Sequence, residues 1–310
     1  MAEPPSADPA DGSQSKHRSR GYLLDSLQRT ASDPSARVGA GILLAFLLMA
    51  LAAPLISVFA THRAPDQQDV ENVYQGISSA HWLGTDELGR DTMTRLAFGA
   101  QVSLEVGFLT VILYILAGAT AGLVAGYFGG WLDEVLMRIV DVLLAVPSIF
   151  LLILISSLLP VKLGPIRFQH DAFTVSVILA FTAWGGIARL VRAEVLALKS
   201  REFIAAAKSI GASDIRILWR HVLPNALPVI IIAASLGLGG VILAEAALDF
   251  IGIGVQPPTP SWGNMLVNAQ SYFYHQILLV LAPGACIFII VLGANLLGTA
   301  IRDGFDPRLR

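Results

Sequence analysis

Residues 202–225 read Glu-Phe-Ile-Ala-Ala-Ala-Lys-Ser-Ile-Gly-Ala-Ser-Asp-Ile-Arg-Ile-Leu-Trp-Arg-His-Val-Leu-Pro-Asn. Phe203, Ala206, Ala207 and Ile210 recur at the spacing of one helical face. Gly211 suits the left-handed residue that closes such a helix, and Ser213 suits the N-cap of a second. Ile215, Leu218, Trp219 and Val222 then form another apolar stripe, which Pro224 stops. Lys208, Arg216 and Arg220 fall on the opposite, wet faces. The stretch predicts two short amphipathic helices joined at a turn.

On both sides the chain becomes strongly apolar, over Phe173–Leu198 before the stretch and Ala226–Ile253 after it. A helix needs roughly 20 apolar residues to cross the hydrocarbon layer of a membrane. Val38–Ala60, Val102–Tyr127, Val135–Leu159 and Ile277–Ala300 also meet that requirement, so six spans are predicted. Composition agrees: 55% of the 310 residues are hydrophobic and 14% charged, with mean hydropathy +0.66. A soluble domain carries about a quarter charged residues, so an ordinary water-soluble core is excluded. The expected fold is an all-α membrane protein.

Lys and Arg placement sets orientation. With the N-terminus inside, 16 of these cations fall on the cytoplasmic side, and only Arg63, Arg90, Arg95, Lys162 and Arg167 fall outside. Both termini, and the connection 199–225, are expected to be cytoplasmic. The chain then divides into a tail, 1–36, a first span with its external loop, 37–101, a core of five spans, 102–302, and a short tail, 303–310. Residues 1–36 are rich in Ser, Pro, Asp and Arg, and are expected to be disordered. The external connection 254–276 has no formal charge but holds Pro257, Pro258, Pro260, Trp262 and Tyr272, so it is expected to pack rather than move.

A short amphipathic pair tethered between spans has more than one use. It can rest on the lipid surface with its basic face toward headgroups, or seat an apolar face in a groove of a cytoplasmic partner. A DNA-binding helix-turn-helix is a poor fit, because a module pinned between two spans cannot enter a groove; no nucleic-acid partner is expected. Spacing alone leaves the first two open.

The stretch resembles the EAA loop of permeases of ATP-binding-cassette (ABC) importers, through Ala205-Ala206-Ala207, Gly211 and Leu223-Pro224. Ala205 stands where that family usually has Glu, and Ala keeps the helix. His81-Trp82-Leu83-Gly84-Thr85-Asp86-Glu87-Leu88-Gly89-Arg90-Asp91 is similar to the first external loop of the dipeptide, oligopeptide and nickel permeases. Gly129-Gly130, Asp133, Met137-Arg138, Asp141 and Pro147 resemble their third-span signature. Glu245, Phe250, Gly252, Gly254, Pro257 and Ser261-Trp262-Gly263-Asn264-Met265-Leu266 resemble the stretch after their fifth span, and Asp306-Pro307-Arg308 their C-terminus. The order is that of the second, C-type permease of such systems.

The resemblance implies a type I ABC importer (MetI-like) fold in a bacterial or archaeal plasma membrane. It implies a homologous permease, two cytoplasmic ATPase subunits, an external solute-binding protein, a peptide substrate and surrounding lipid as partners. Nickel or another small solute of the same family is the alternative substrate, and a stand-alone secondary transporter is the rival function. Phe203, Ala206, Ala207, Ile210, Gly211, Leu223 and Pro224 would couple to the ATPases, and Asp86, Arg90 and Trp262 would meet the binding protein. No Gly-Lys-Ser/Thr phosphate loop occurs, so ATP and Mg would be used by partner subunits and not bound here. The chain is accordingly not expected to be an enzyme.

Few single residues suggest chemistry. Glu105, Glu245 and Asp249 are ionisable groups inside predicted spans, where such groups face a cavity or a partner. Glu245 and Asp249 are candidate pathway-lining residues, and Asp249 stands where the family has a small uncharged residue. Asp133, Arg138 and Asp141 are expected to form a local salt bridge, and Arg189 and Arg192 to snorkel to an interface. Asp86, Glu87 and Asp91 lack the ligand spacing of a calcium loop, and the histidines form no cluster, so no metal is expected. The lone Cys286 excludes an intramolecular disulfide.

Overall fold

The computed structural model describes residues 26–163 and 166–305. Helix α1 (Pro34–Leu55) continues as a π-helical turn to Thr61, and α2 (Thr92–Phe128) follows a long loop. Then come α3 (Gly130–Ala145), α4 (Ser148–Ser157), α5 (Ala172–Lys199), α6 (Glu202–Ser209), α7 (Asp214–Ile217), α8 (Leu223–Ile251), α9 (Ala269–His275) and α10 (Leu278–Phe305). Asp33, Asp91 and Asp171 cap α1, α2 and α5, each accepting from a backbone N–H in the first turn. A small hairpin departs from the all-helical expectation: β1 (Val161–Leu163) pairs antiparallel with β2 (Ile166–Phe168).

Among the described residues five helical segments are long and apolar enough to cross a membrane: Pro34–Thr61, Thr92–Phe128, Ala172–Lys199, Asp214–Ile251 and Leu278–Phe305. The third expected span, Val135–Leu159, is instead a broken pair, α3 and α4, bent by 88°. Pro147 explains the break. It offers no N–H to the helix, and it pushes Val146 into an extended conformation, φ −98° and ψ 129°.

Other boundaries also shift. Helix α2 begins at Thr92, ten residues before the predicted Val102, so the external loop ends before residue 101. Its first turns are polar, but Thr92, Thr94 and Arg95 are buried by folded loops, and hydropathy alone cannot register that. The expectation of disorder through residue 36 fails from residue 26 onward. Residues 26–32 are helical, with Ser26 and Thr30 buried where Gly304 of α10 leaves room for them. Residues 1–25 and 306–310, including Asp306-Pro307-Arg308, lie outside the described residues.

Close backbone approach holds the bundle together. A Cβ on Gly118 or Gly122 of α2 would lie 2.6 Å from the Trp184 carbonyl or 2.5 Å from the Ala188 carbonyl of α5, and one on Gly126 would lie 2.8 Å from Val195. This spacing of four lets two membrane helices meet where no hydrophobic force between them is available. Gly39 of α1 meets the Gly293 carbonyl of α10 in the same way. The bundle has two ends. Residues 199–225 lie at the loop end, and residues 62–91 with 252–276 form a lid at the other.

Asp133 and Asp141 of α3 are paired across helices, which corrects the expected local bridge. Arg192 of α5 holds Asp133 through two nitrogens at 2.5 and 2.6 Å, and Arg189 meets Asp141 at 2.5 Å. Arg138 takes part in neither pair. Arg189 and Arg192 therefore join α5 to α3 rather than only reaching for an interface.

Candidate functional site

At the loop end, α6 closes at Ile210 and the chain reverses through Gly211, whose φ is +79°. A residue with a side chain is strained there, and no atom lies within 4 Å of where a Cβ would be, so conformation alone calls for glycine. Ser213 holds the N-cap position with extended dihedrals but makes no side-chain cap bond. The second helix does not stop at Pro224. α7 widens into a π-helical turn over Leu218–Val222, where the Leu223 N–H reaches back five residues to Leu218 O. That turn leads straight into α8, and the wider π-helical spacing just before Pro224 accommodates a residue that has no N–H to give.

The pair has an inner and an outer face. Ile204, Ala207, Ile217, Leu218 and Val222 are buried against α2, α5 and α8, with Leu223 packed beside them. Phe203 is 40% exposed, Ile210 85%, Ile215 67% and Trp219 64%, and Ala206 and Pro224 are also exposed. Ala207 therefore leaves the expected docking face, and Leu218 and Val222 leave the expected outer stripe. An eight-residue helix between two spans must anchor one face, and Ile204 with Ala207 is the face it uses.

At the lid end, three of the expected contacts are buried. Trp262 has 0% exposure; its Nε1–H donates to Leu96 O at 3.0 Å, and its ring meets Phe46 edge-on at 5.2 Å. It is a core residue and not an exposed binding surface. Arg90 Nε donates to Asp86 Oδ2 at 2.7 Å, and its Nη2 to Glu87 Oε1 at 3.0 Å. Asp86 and Arg90 thus fold the loop, since the Asp86 carboxylate also takes the Leu88 and Arg90 backbone N–H groups. Tyr272 donates its O–H to Glu87 Oε2 at 2.5 Å, which ties the two lid segments together. Burial, then the Glu87 carboxylate, holds the Tyr272 phenol above its ordinary pKa. Trp82, Phe273 and Tyr274 are the aromatic residues that do face outward here.

Glu245 and Asp249 are also buried, so neither lines an open surface of this chain. Asp249 caps the lid: its carboxylate accepts from Val255 N at 2.6 Å and from Ser261 Oγ. Glu245 Oε1 accepts from Ser103 Oγ of α2 at 3.1 Å. Asp249 does reach a cleft of about 170 Å³, shared with Asp86, Arg90, Thr92, Arg95 and Tyr272. Glu105, by contrast, faces outward from α2. Among the described residues no group of three or more His, Cys, Asp or Glu is placed to hold a metal ion.

Residues 118–310 match the family described as the binding-protein-dependent transport system inner membrane component. The chain belongs to that family. Residues 21–76 of this permease also match the N-terminal transmembrane domain of oligopeptide transport permease C. The permease is 42% identical over 275 residues to the dipeptide transport system permease protein DppC of Alkalihalophilus pseudofirmus, covering 89% of this chain and 86% of that one. It is 34% identical to the oligopeptide permease OppC of Bacillus subtilis, covering 100% and 97%. A glutathione permease, GsiD of Pectobacterium atrosepticum, is 40% identical over 78% of this chain and 77% of its own. A chain of the MetNI methionine ABC transporter shares the fold, with TM-score 0.52 and 19% identity over 68% of this permease and 96% of that chain.

Proposed function

We propose that this permease passes peptides, delivered by an external solute-binding protein, into the cytoplasm at the expense of ATP hydrolysed by other subunits. It would sit in a bacterial or archaeal plasma membrane beside a homologous permease and above two ATPase subunits, with 199–225 and both termini cytoplasmic. One observation carries the reading. Phe203, Ile210, Ile215 and Trp219 turn away from the bundle, opposite the buried inner face of Ile204, Ala207, Ile217, Leu218 and Val222, and apolar side chains so presented fit a partner's groove. ATP-driven closure of the ATPase pair would then displace the loop, with each conformation favoured by a different ligand state. The relatives named for dipeptide, oligopeptide and glutathione transport support a peptide substrate.

The test is retention of the ATPase subunits on an affinity-tagged permease. Ile210→Asp and Trp219→Asp leave every buried contact in place, so both variants should insert normally but lose the ATPases, because a docked carboxylate is costly to desolvate. Retention equal to the unaltered chain in both would mean that the face rests on lipid, and would end the docking reading.

A further inference from the structure

Tyr127 stands one residue before the loop-end terminus of α2, and three other elements meet on it. Its side chain is buried beside Ile204, Ala207 and Ile217. The phenolic O–H donates to Asp214 Oδ1, in the first turn of α7, at 2.7 Å. The Tyr127 carbonyl accepts from Lys199 Nζ, at the end of α5, at 2.6 Å. The ammonium groups of Lys199 and of Lys208, the latter on α6, lie 5.8 and 5.7 Å from the ring centre. Both distances are within the roughly 6 Å over which a cation is drawn to an aromatic face.

The rest of the inner face of 202–222 is apolar packing. Such packing resists separation, but it is non-directional and fixes register less sharply than hydrogen bonds do. The bonds to Tyr127 supply direction. The whole of α2, with Tyr127 near one end, runs unbroken for 37 residues, about 55 Å at 1.5 Å per residue. Its far end is equally fixed, by Leu96 O to the indole of Trp262 and by Ser103 Oγ to Glu245.

We infer that Tyr127 is the positioning residue that fastens the cytoplasmic loop to α2, so that displacement of the loop travels along α2 as one rod to the lid. The inference rests on the proposed docking of that loop to the ATPases. A rigid element bonded at both ends is a physical route for coupling between distant sites. Asp214 and Tyr127 are then a unit, and losing either should have the same consequence.

The experiment uses the complete transporter in liposomes, with a fluorophore on Tyr274→Cys, which is exposed at the lid, in a Cys286→Ser background. The signal is its change on adding ATP and vanadate. Tyr127→Phe and Asp214→Ala should each reduce that change by about tenfold or more, as expected for one lost hydrogen bond to a charged partner. The double variant should be no worse than either single one, since paired residues are not additive. Asp214→Asn keeps an oxygen acceptor and should restore most of the response, which a general loss of fold would not allow. Full amplitude in Tyr127→Phe and Asp214→Ala, or losses that add, would overturn the clamp. ATPase retention on the same preparations separates the two readings. A clamp that fails leaves the subunits bound, whereas subunits that never bind the unaltered chain overturn the docking and the clamp together.

Discussion

The indole N–H of Trp262 donates to the carbonyl of Leu96 at 3.0 Å, joining the lid to the second turn of α2. The bond uses a carbonyl near the start of a long helix, and the ring meets Phe46 edge-on within the buried cluster that also holds Leu104 and Ile242. The lid is therefore seated by one large side chain from within.

Removing that side chain should loosen the lid. We expect Trp262→Ala to cost about 3–5 kcal/mol, the usual range for emptying a buried aromatic site. Trp262→Phe should cost less, since it forfeits mainly the hydrogen bond. Thermal unfolding in detergent measures both, and an unchanged midpoint for Trp262→Ala would contradict the seating role.

Gly211 makes a cleaner conformational test, because there is space for a side chain but not for its preferred dihedrals. Gly211→Val should cost roughly 1–2 kcal/mol at that φ. Gly211→Asn should cost less, because Asn visits the left-handed region more readily. The spans should insert in both. Equal ATPase retention by Val, Asn and Gly forms would show that the reversal is not needed.

The α2–α5 seam should tolerate no added volume. Gly122→Leu would drive a side chain into main chain 2.5 Å away, so we expect little folded protein. Gly186, half a turn from both Trp184 and Ala188, faces open space on the other side of α5 and serves as control; Gly186→Ala should express normally. A well-folded Gly122→Leu protein would argue against the packing described.

The Tyr272–Glu87 bond predicts an alkaline response. Because the folded phenol is held above its ordinary pKa, its contribution is complete below about pH 10 and is lost as pH rises toward the raised value. The unaltered chain should lose stability from about pH 10 upward more steeply than Tyr272→Phe. Identical alkaline profiles would remove the bond from the account.

Topology can be read with a membrane-impermeant maleimide. Cysteine at Tyr274 should label from outside intact cells, and cysteine at Lys208 should not, because the excess of Lys and Arg marks the cytoplasmic side. Labelling of position 208 from outside would invert the orientation.

Much of this was legible in the residues. The left-handed turn at Gly211, the apolar lengths of the spans and the packing of an uncharged, aromatic segment after α8 follow from composition and spacing. Sidedness did not. Periodicity tells which residues share a stripe, but the choice between Ala207 inward and Ala206 outward depends on what α2 and α5 offer. The break at Pro147 had its signal in the sequence, yet hydropathy averaged across it. Tyr127 carried no signal at all: its partner Asp214 is 87 positions away, and only the fold brings them within 2.7 Å.

The glycine stripe of α2 also bears on how this chain can change over time. At Gly118 and Gly122 the nearest obstacle is a backbone carbonyl, of Trp184 and Ala188, rather than a side chain. A clash between side chains can be relieved by trimming the partner, so second-site suppressors arise beside it. A clash with main chain offers no such neighbour. Genetic selection for revertants of Gly118 or Gly122 variants should return glycine at the original codon, and not compensating changes on the facing helix.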